Sequence, residues 1–245
     1  MHLKRTLAIT TLLLTTLLMA QTASAQGTLI DEEKPDRWRS SLFVYLWALS
    51  MDGTAGIGGN EVDIDASFSD LLDVLDAAFS VRFESHKGGW GYFLDGMYTK
   101  LKPEQDTQLG RITLETKSFV GEAGGVYHFN PTVHGLFGLR YQSMDTELRL
   151  PNRTVGDKPD WLDAFVGIRL VPVRTEKWNV WLRGDVGGGD SDTMWNGVIG
   201  AGYRFNKRWS LVGAYRVLSN NVEQDGFKWD VDYEGLGIAL GYTFQ

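Results

Sequence analysis

Apolar side chains recur at every second position along most of the chain after residue 38, and clusters of Gly, Asn, Pro and Lys interrupt the runs. Period-two alternation bounded by turn residues predicts β-strands. The runs fall at 39–51, 77–86, 90–101, 112–129, 133–150, 161–173, 178–189, 195–205, 209–222 and 229–244. Their connections alternate in length. Lys87-Gly88-Gly89, Asn130-Pro131-Thr132, 174–177 and Asn206-Lys207-Arg208 are short, whereas 52–76, 102–111, 151–160, 190–194 and 223–228 are longer. Short turns at one end and longer loops at the other predict an antiparallel up-and-down β-barrel, with both termini at the short-turn end.

Alternation does not separate a membrane barrel from a soluble one, which places its apolar face inward. The composition of each face does. In 161–173 one face reads Leu162, Ala164, Val166, Ile168 and Leu170, and the other Asp163, Phe165, Gly167, Arg169 and Val171. In 195–205, Trp195, Gly197, Ile199, Ala201, Tyr203 and Phe205 oppose a face holding Gly200, Gly202 and Arg204. The last run sets Leu236, Ile238, Leu240, Tyr242 and Phe244 against Gly235, Gly237, Ala239 and Gly241. A water-facing surface would be dense in Lys, Glu and Thr. A glycine-rich face with a few long polar residues fits a narrow interior, and an unbroken apolar face fits lipid. The fold class expected is all-β, a transmembrane antiparallel barrel of about ten strands. In the hairpin 83–98, Glu84 and Asp95 then point into the lumen, while Phe83, Trp90, Tyr92, Leu94 and Tyr98 face lipid.

The beginning of the chain agrees with export. Lys4 and Arg5, an apolar stretch over 7–20 and Ala23-Ser24-Ala25 follow the plan of a cleaved secretory signal peptide. The expected division is 1–25 signal peptide and 26–245 outer-membrane barrel domain. No later stretch approaches the ~20 apolar residues of a spanning helix. The chain has no cysteine, which excludes disulfides and thiolate chemistry. A net charge of -7 argues against nucleic acid as a partner.

The run YLWALSMDGTAGIGGNEVDIDASFSDLLDVLDAAFSVRFESHKGGWGYFLDGMYTKL resembles a group of uncharacterised outer-membrane β-barrel proteins of Gram-negative bacteria. They share the Tyr-x-Trp first strand, the glycine-rich stretch, the Ser-Phe-Ser-Asp-Leu-Leu segment and the Trp-Gly hairpin. The resemblance implies the barrel fold and the cell outer membrane, and no activity. The ending LGYTFQ resembles the terminal aromatic signal read by the outer-membrane assembly machinery, through Tyr242 and Phe244, although Gln245 follows the phenylalanine.

Read by alternation, the lumen holds Arg82, Arg140, Arg169, Arg183, Arg204 and Arg216 with Glu84, Asp95, Glu122, Asp163 and Asp185. Arginine suits buried bidentate pairing with carboxylates. Two readings stand: an ion-pair network that braces the barrel, and the lining of a small aqueous pore. Of the histidines after the expected signal peptide, His86, His128 and His134, the last two flank the Asn130-Pro131-Thr132 turn and are expected to face each other as rim residues. Two imidazoles without a carboxylate make a poor metal site. No Gly-x-Ser-x-Gly elbow is present.

In the first long loop Phe68, Leu71, Leu72 and Leu75 fall at helical spacing, with Ser67 as N-cap and an aspartate three residues on. Such an apolar face would be covered by the barrel mouth, making 67–76 a plug. Glu61, Asp63 and Asp65 just before it read as a solvated acidic stretch rather than a calcium loop. The next loops and their flanks are basic: Lys100, Lys102, Arg111, Lys117, Arg149, Arg153 and Lys158. Of these Lys102, Arg111, Arg149 and Arg153 are candidate contacts for lipopolysaccharide phosphates. The function expected is that of a non-catalytic, closed or narrow outer-membrane barrel with a structural or envelope-interaction role and no cofactor. The alternatives are a passive channel for small hydrophilic solutes and, with no constellation to support it, an enzyme acting on lipid A or peptides.

Overall fold

The computed structural model describes residues 37–57, 59–107, 110–150, 152–224 and 226–244. The expected signal peptide lies outside these residues. In chain order the elements are β1 (Arg39–Ile57), β2 (Asn60–Ala66), helix α1 (Phe68–Asp73), β3 (Leu75–Lys87), β4 (Trp90–Leu101), β5 (Glu104–Thr107) and β6 (Gly110–His128). There follow β7 (Val133–Leu150), β8 (Arg153–Asp157), β9 (Asp160–Arg174), β10 (Trp178–Gly189), β11 (Thr193–Arg204), β12 (Trp209–Gln224) and β13 (Phe227–Thr243).

The sheet closes on itself in the ring β6–β4–β3–β1–β13–β12–β11–β10–β9–β7 and back to β6, every pair antiparallel. The first and last strands seal it, in unbroken register from Ser41↔Thr243 to Ile57↔Phe227. These ten ring strands are the ten runs of the alternation pattern. The remaining strands are short returns at the long-loop end: β2 on β1, β5 on β6 and β8 on β7. Sequence reading placed them in loops, because runs of four to seven mostly polar residues are too short to stand out as strands. Pro172 sits in β9 where the register with β10 slips between Val180 and Leu182. A residue without an N–H is tolerated at such an irregularity.

The outward face follows the expected parity. Leu94, Val166, Ile168, Val186, Ile199, Leu236 and Ile238 all project from the barrel and are exposed, Ile168 by 53% and Ile238 by 56%. Aromatic rings flank this belt. At the short-turn end Trp90 packs on Tyr127, Trp178 on Tyr203 and Trp209 on Tyr242, with ring centres 4.7–5.0 Å apart. Towards the loops stand Phe119, Tyr141, Trp195 and Tyr215. An apolar belt between two aromatic girdles is the surface of a barrel that spans a bilayer.

Candidate functional site: the lumen

One register row brings charge to the middle of the barrel. Arg82 of β3, Asp95 of β4, Glu122 of β6, Arg140 of β7 and Asp163 of β9 are successive cross-strand partners. Each lies on the inward parity of its strand, so all five side chains meet inside. From the opposite wall come Arg183 and Asp185 of β10, Asn196 of β11 and Arg216 of β12.

Two carboxylates act as hubs. Glu122 accepts from Arg140 at 2.8 Å, from Arg183 at 3.0 Å and from Arg216 at 3.0 Å, so one side chain ties β6 to β7, β10 and β12. Glu84 accepts from Arg82 at 3.2 Å and from Arg169 at 2.5 Å, and His86 Nε2 lies 2.7 Å away. Asp95 accepts from Arg82 at 3.0 Å and from the Tyr45 hydroxyl at 2.7 Å. Asp185 accepts from Arg183 at 2.6 Å, Arg140 at 3.0 Å and the Asn196 amide at 2.8 Å. The Asn196 carbonyl in turn accepts from Arg216 at 2.8 Å.

Aromatic rings fill what the ion pairs leave. Arg82 lies 4.2 Å above the ring of Phe93, Arg140 5.1 Å above Phe165 and Arg216 5.0 Å above Trp47. Phe93, Val126, Leu136, Phe165 and Met194 form an apolar cluster around the guanidinium groups, and Arg140 also touches Met194. Such stacking suits the flat, weakly hydrated guanidinium and not an ammonium, which accounts for the absence of lysine from this layer. Water is excluded: Arg140 is 0% exposed, Asp185 3% and Glu122 5%.

A second barrier lies above. Trp161, Val222, Trp229 and Val231 pack together at the long-loop end of the interior, with Met51, Ala55, Ile64, Met144, Phe227 and Tyr233 against them. Between the two layers Gln142 donates to Asn220 across the lumen at 2.7 Å. The interior is therefore occupied by ions in its middle and by an apolar cap above them.

Nine of the eleven sequence-derived lumen charges enter the ion-pair layer. Arg204 does not: it is exposed at the short-turn rim and donates to the Glu176 carbonyl at 3.3 Å. Alternation fixed its face correctly, but it is the last residue of β11 and stands beyond the enclosed space. Asp163 is buried yet makes no ion pair among the described residues; its Oδ1 accepts from the Ser191 amide at 2.9 Å. Tyr45, Asn196, Phe93 and Phe165 were missed by a search restricted to charge, although inward parity marks all four.

The plug expected at 67–76 is corrected. Ser67 does cap α1, with a reciprocal capping box: Asp70 N–H donates to Ser67 Oγ at 3.3 Å and Ser67 N–H to Asp70 Oδ2 at 3.0 Å. The Ser67 hydroxyl, which also donates to Asp70 Oδ2, and the Ser67 N–H hold the Asp70 carboxyl below its usual range. But no residue of the helix is buried. Phe68, Leu72 and Leu75 are exposed and Leu71 half-buried, so the apolar face does not enter the lumen. The interior offers it no room, being filled by the barrel's own side chains.

The candidate phosphate contacts are paired with acids. Lys102 lies 2.9 Å and Arg111 3.3 Å from Glu104, and Arg149 lies 2.9 Å from Glu147. The Arg153 side chain is outside the described residues. Lys228 likewise holds Glu61 at 2.8 Å. Among the described residues no three acidic or imidazole side chains are arranged to hold a metal ion.

No family model and no curated protein matches the chain. Among solved structures it is similar to Ail, the attachment invasion locus protein of Yersinia pestis, in complex with the heparin analogue sucrose octasulfate. The identity is 14%, over 85% of this chain and 99% of that one, with a TM-score of 0.44. It is also similar to the translocator domain of the autotransporter NalP from Neisseria meningitidis, at 12% identity over 98% of both chains and a TM-score of 0.46. Neisserial surface protein A is a third, at 11% identity over 84% of this chain and 97% of that one, with a TM-score of 0.35.

Proposed function

We propose that this is an outer-membrane β-barrel protein that passes no solute, and that it serves the envelope as a braced, sealed scaffold presenting its long-loop rim outwards. The observation that carries the reading is the double closure of the lumen. A path for hydrophilic solutes would have to cross the buried Glu122–Arg140–Asp185 layer and then the buried Trp161–Trp229 cap. Ion pairs with satisfied partners are the form in which a barrel this narrow can hold charge without water. The apolar belt and its girdles support the bilayer, and the start of β1 and the end of β13 at the short-turn end support the periplasmic side.

The passive-channel reading loses the feature that motivated it, because Arg82, Arg140, Arg169, Arg183 and Arg216 are paired with the carboxylates of Glu84, Asp95, Glu122 and Asp185. The rim is the remaining working surface: β1, β6, β7, β12 and β13 run on past the girdle, and β2, β5 and β8 fold back against their outer ends. Lipopolysaccharide phosphates there would have to displace Glu104 and Glu147 from Lys102, Arg111 and Arg149. Tyr242 and Phe244, packed edge to face with ring centres 5.1 Å apart at the end of β13, are the aromatic pair proposed for recognition by the assembly machinery. Fractionation of cells and swelling of liposomes carrying the protein test the reading together. Recovery with outer membranes and no swelling in small sugars are expected; a soluble periplasmic protein, or rapid swelling, would overturn it.

A further inference from the structure

Three imidazoles from three strands stack at the short-turn mouth of the lumen. His86 near the end of β3 lies 4.9 Å from His128 at the end of β6, ring centre to ring centre. His128 lies 4.3 Å from His134 at the start of β7, its direct cross-strand partner. Gly91 of β4, opposite His86, leaves the space for the first ring: a Cβ there would overlap the His86 imidazole.

The protons of two rings are placed by their partners. His86 Nε2 donates to Oε1 of Glu84 at 2.7 Å, and His134 Nε2 to the Pro131 carbonyl at 3.3 Å. The other nitrogens of these rings, His86 Nδ1 and His134 Nδ1, are buried without a hydrogen-bond partner, and so is His128 Nε2. A second proton on His134 would therefore create an N–H where no acceptor stands, against a neighbouring ring. An unsatisfied buried donor is costly, and two stacked imidazolium ions repel.

The surrounding charges add to this. From β9, Arg169 is the cross-strand partner of His134, with Arg174 nearer the rim; from β1, Arg39 is the partner of His86; Lys87 follows His86 on β3. Glu84 is the one carboxylate that touches the stack among the described residues, and Arg82 and Arg169 already hold it. β4, β6, β7 and the 130–132 turn bring no other charge to this end.

We propose that the stack is a proton-sensitive latch: with His128 and His134 neutral it closes the short-turn mouth as one packed unit, and protonation of that pair drives the rings apart. This holds whether or not the lumen conducts, since it concerns the mouth and not the ion layer. The unfolded chain binds protons at pH values where His128 and His134 stay neutral in the stack, so the stabilisation is present above the ordinary imidazole value of ~6.5 and is lost progressively as pH falls below it.

The test compares folded wild type in detergent micelles with the double variant His128→Phe/His134→Phe, which keeps stacking rings but removes their titration. Unfolding midpoints are read by the gel shift between folded and heated protein at about pH 7.5 and about pH 5, an interval in which ordinary carboxylates stay ionised. The wild type is expected to lose about 3 °C or more on acidification, and the variant less than half of that. An equal loss in both, or none in the wild type, would overturn the latch. Hydrogen exchange of the 125–136 segment in the wild type, corrected for intrinsic rates, gives a readout that needs no variant. Protection should fall at the lower pH relative to the rest of β6 and β7; unchanged protection would count against the proposal.

Discussion

Glu122 and Arg140 are direct partners on adjacent strands, their charged atoms 2.8 Å apart, and Arg140 has no exposed surface at all. The pair is not isolated. Glu122 also holds Arg183 and Arg216, and Arg140 also holds Asp185. Ten strands enclose a space too wide for small apolar residues and too narrow for bulk water. Long guanidinium groups stacked on Phe93 and Phe165 span it, and the carboxylates cancel their charge.

Breaking this layer from one side should therefore cost far more than breaking a surface pair. Arg140→Ala strands Glu122 and Asp185 with fewer cations in a dry interior, and a loss of about 3–5 kcal/mol is expected. Lys158→Ala removes a pair with Asp145 in which the lysine is 70% exposed, and the change should stay within about 1 kcal/mol. Urea titration of both variants in micelles checks this. Equal midpoints would mean that the lumen is wet.

Charge placed on the belt should be resisted in proportion to depth. Ile168→Arg or Ile199→Arg puts a guanidinium among exposed apolar residues. Near the middle of the hydrocarbon this costs about 2–4 kcal/mol, falling towards zero near the girdles. Folding yields into lipid vesicles, compared with Ile168→Val, give the readout.

The alternation of apolar positions carried the ten ring strands, the closure and the lipid face, because a period of two is a direct image of side-chain direction. It also told which charges point inward. What it could not tell is height along the barrel or partner across it. Arg204 has the inward parity of Asn196 but ends up at the rim, and Arg169 finds Glu84, 85 positions away in sequence, across the lumen. The apolar cap was missed for a similar reason. Trp161, Val222, Trp229 and Val231 belong to three strands and become one cluster only once the register is known. Ser67 and Asp70 announced their capping box, a purely local device, but nothing local says what covers the helix they start.

Removing that cap of the helix should be felt only locally. Ser67→Ala deletes the hydrogen bonds made by the Ser67 hydroxyl at the N-terminus of α1 and leaves the Ser67 N–H on Asp70, a loss of about 0.5–2 kcal/mol to that turn. Since no residue of α1 is buried, the global unfolding midpoint should not move, while hydrogen exchange over 67–74 should quicken. A lowered global midpoint would show that the helix packs into the barrel after all.

Truncation in the apolar cap should behave in the opposite way. Trp161 is 2% exposed and packs with Val222, Trp229 and Val231, so Trp161→Ala leaves a cavity worth about 3–5 kcal/mol of stability. Chemical denaturation would show this. The ion layer beneath should keep the barrel closed even so.

The most direct measurement of the closed lumen is current through planar bilayers containing the purified protein. The wild type, the 67–74 deletion and Trp161→Ala should all be silent, because none of them opens the Glu122–Arg140–Asp185 layer. Steady channels in the wild type, carried at moderate voltage and reproduced from preparation to preparation, would contradict the account and restore the arginines to the lining of a pore.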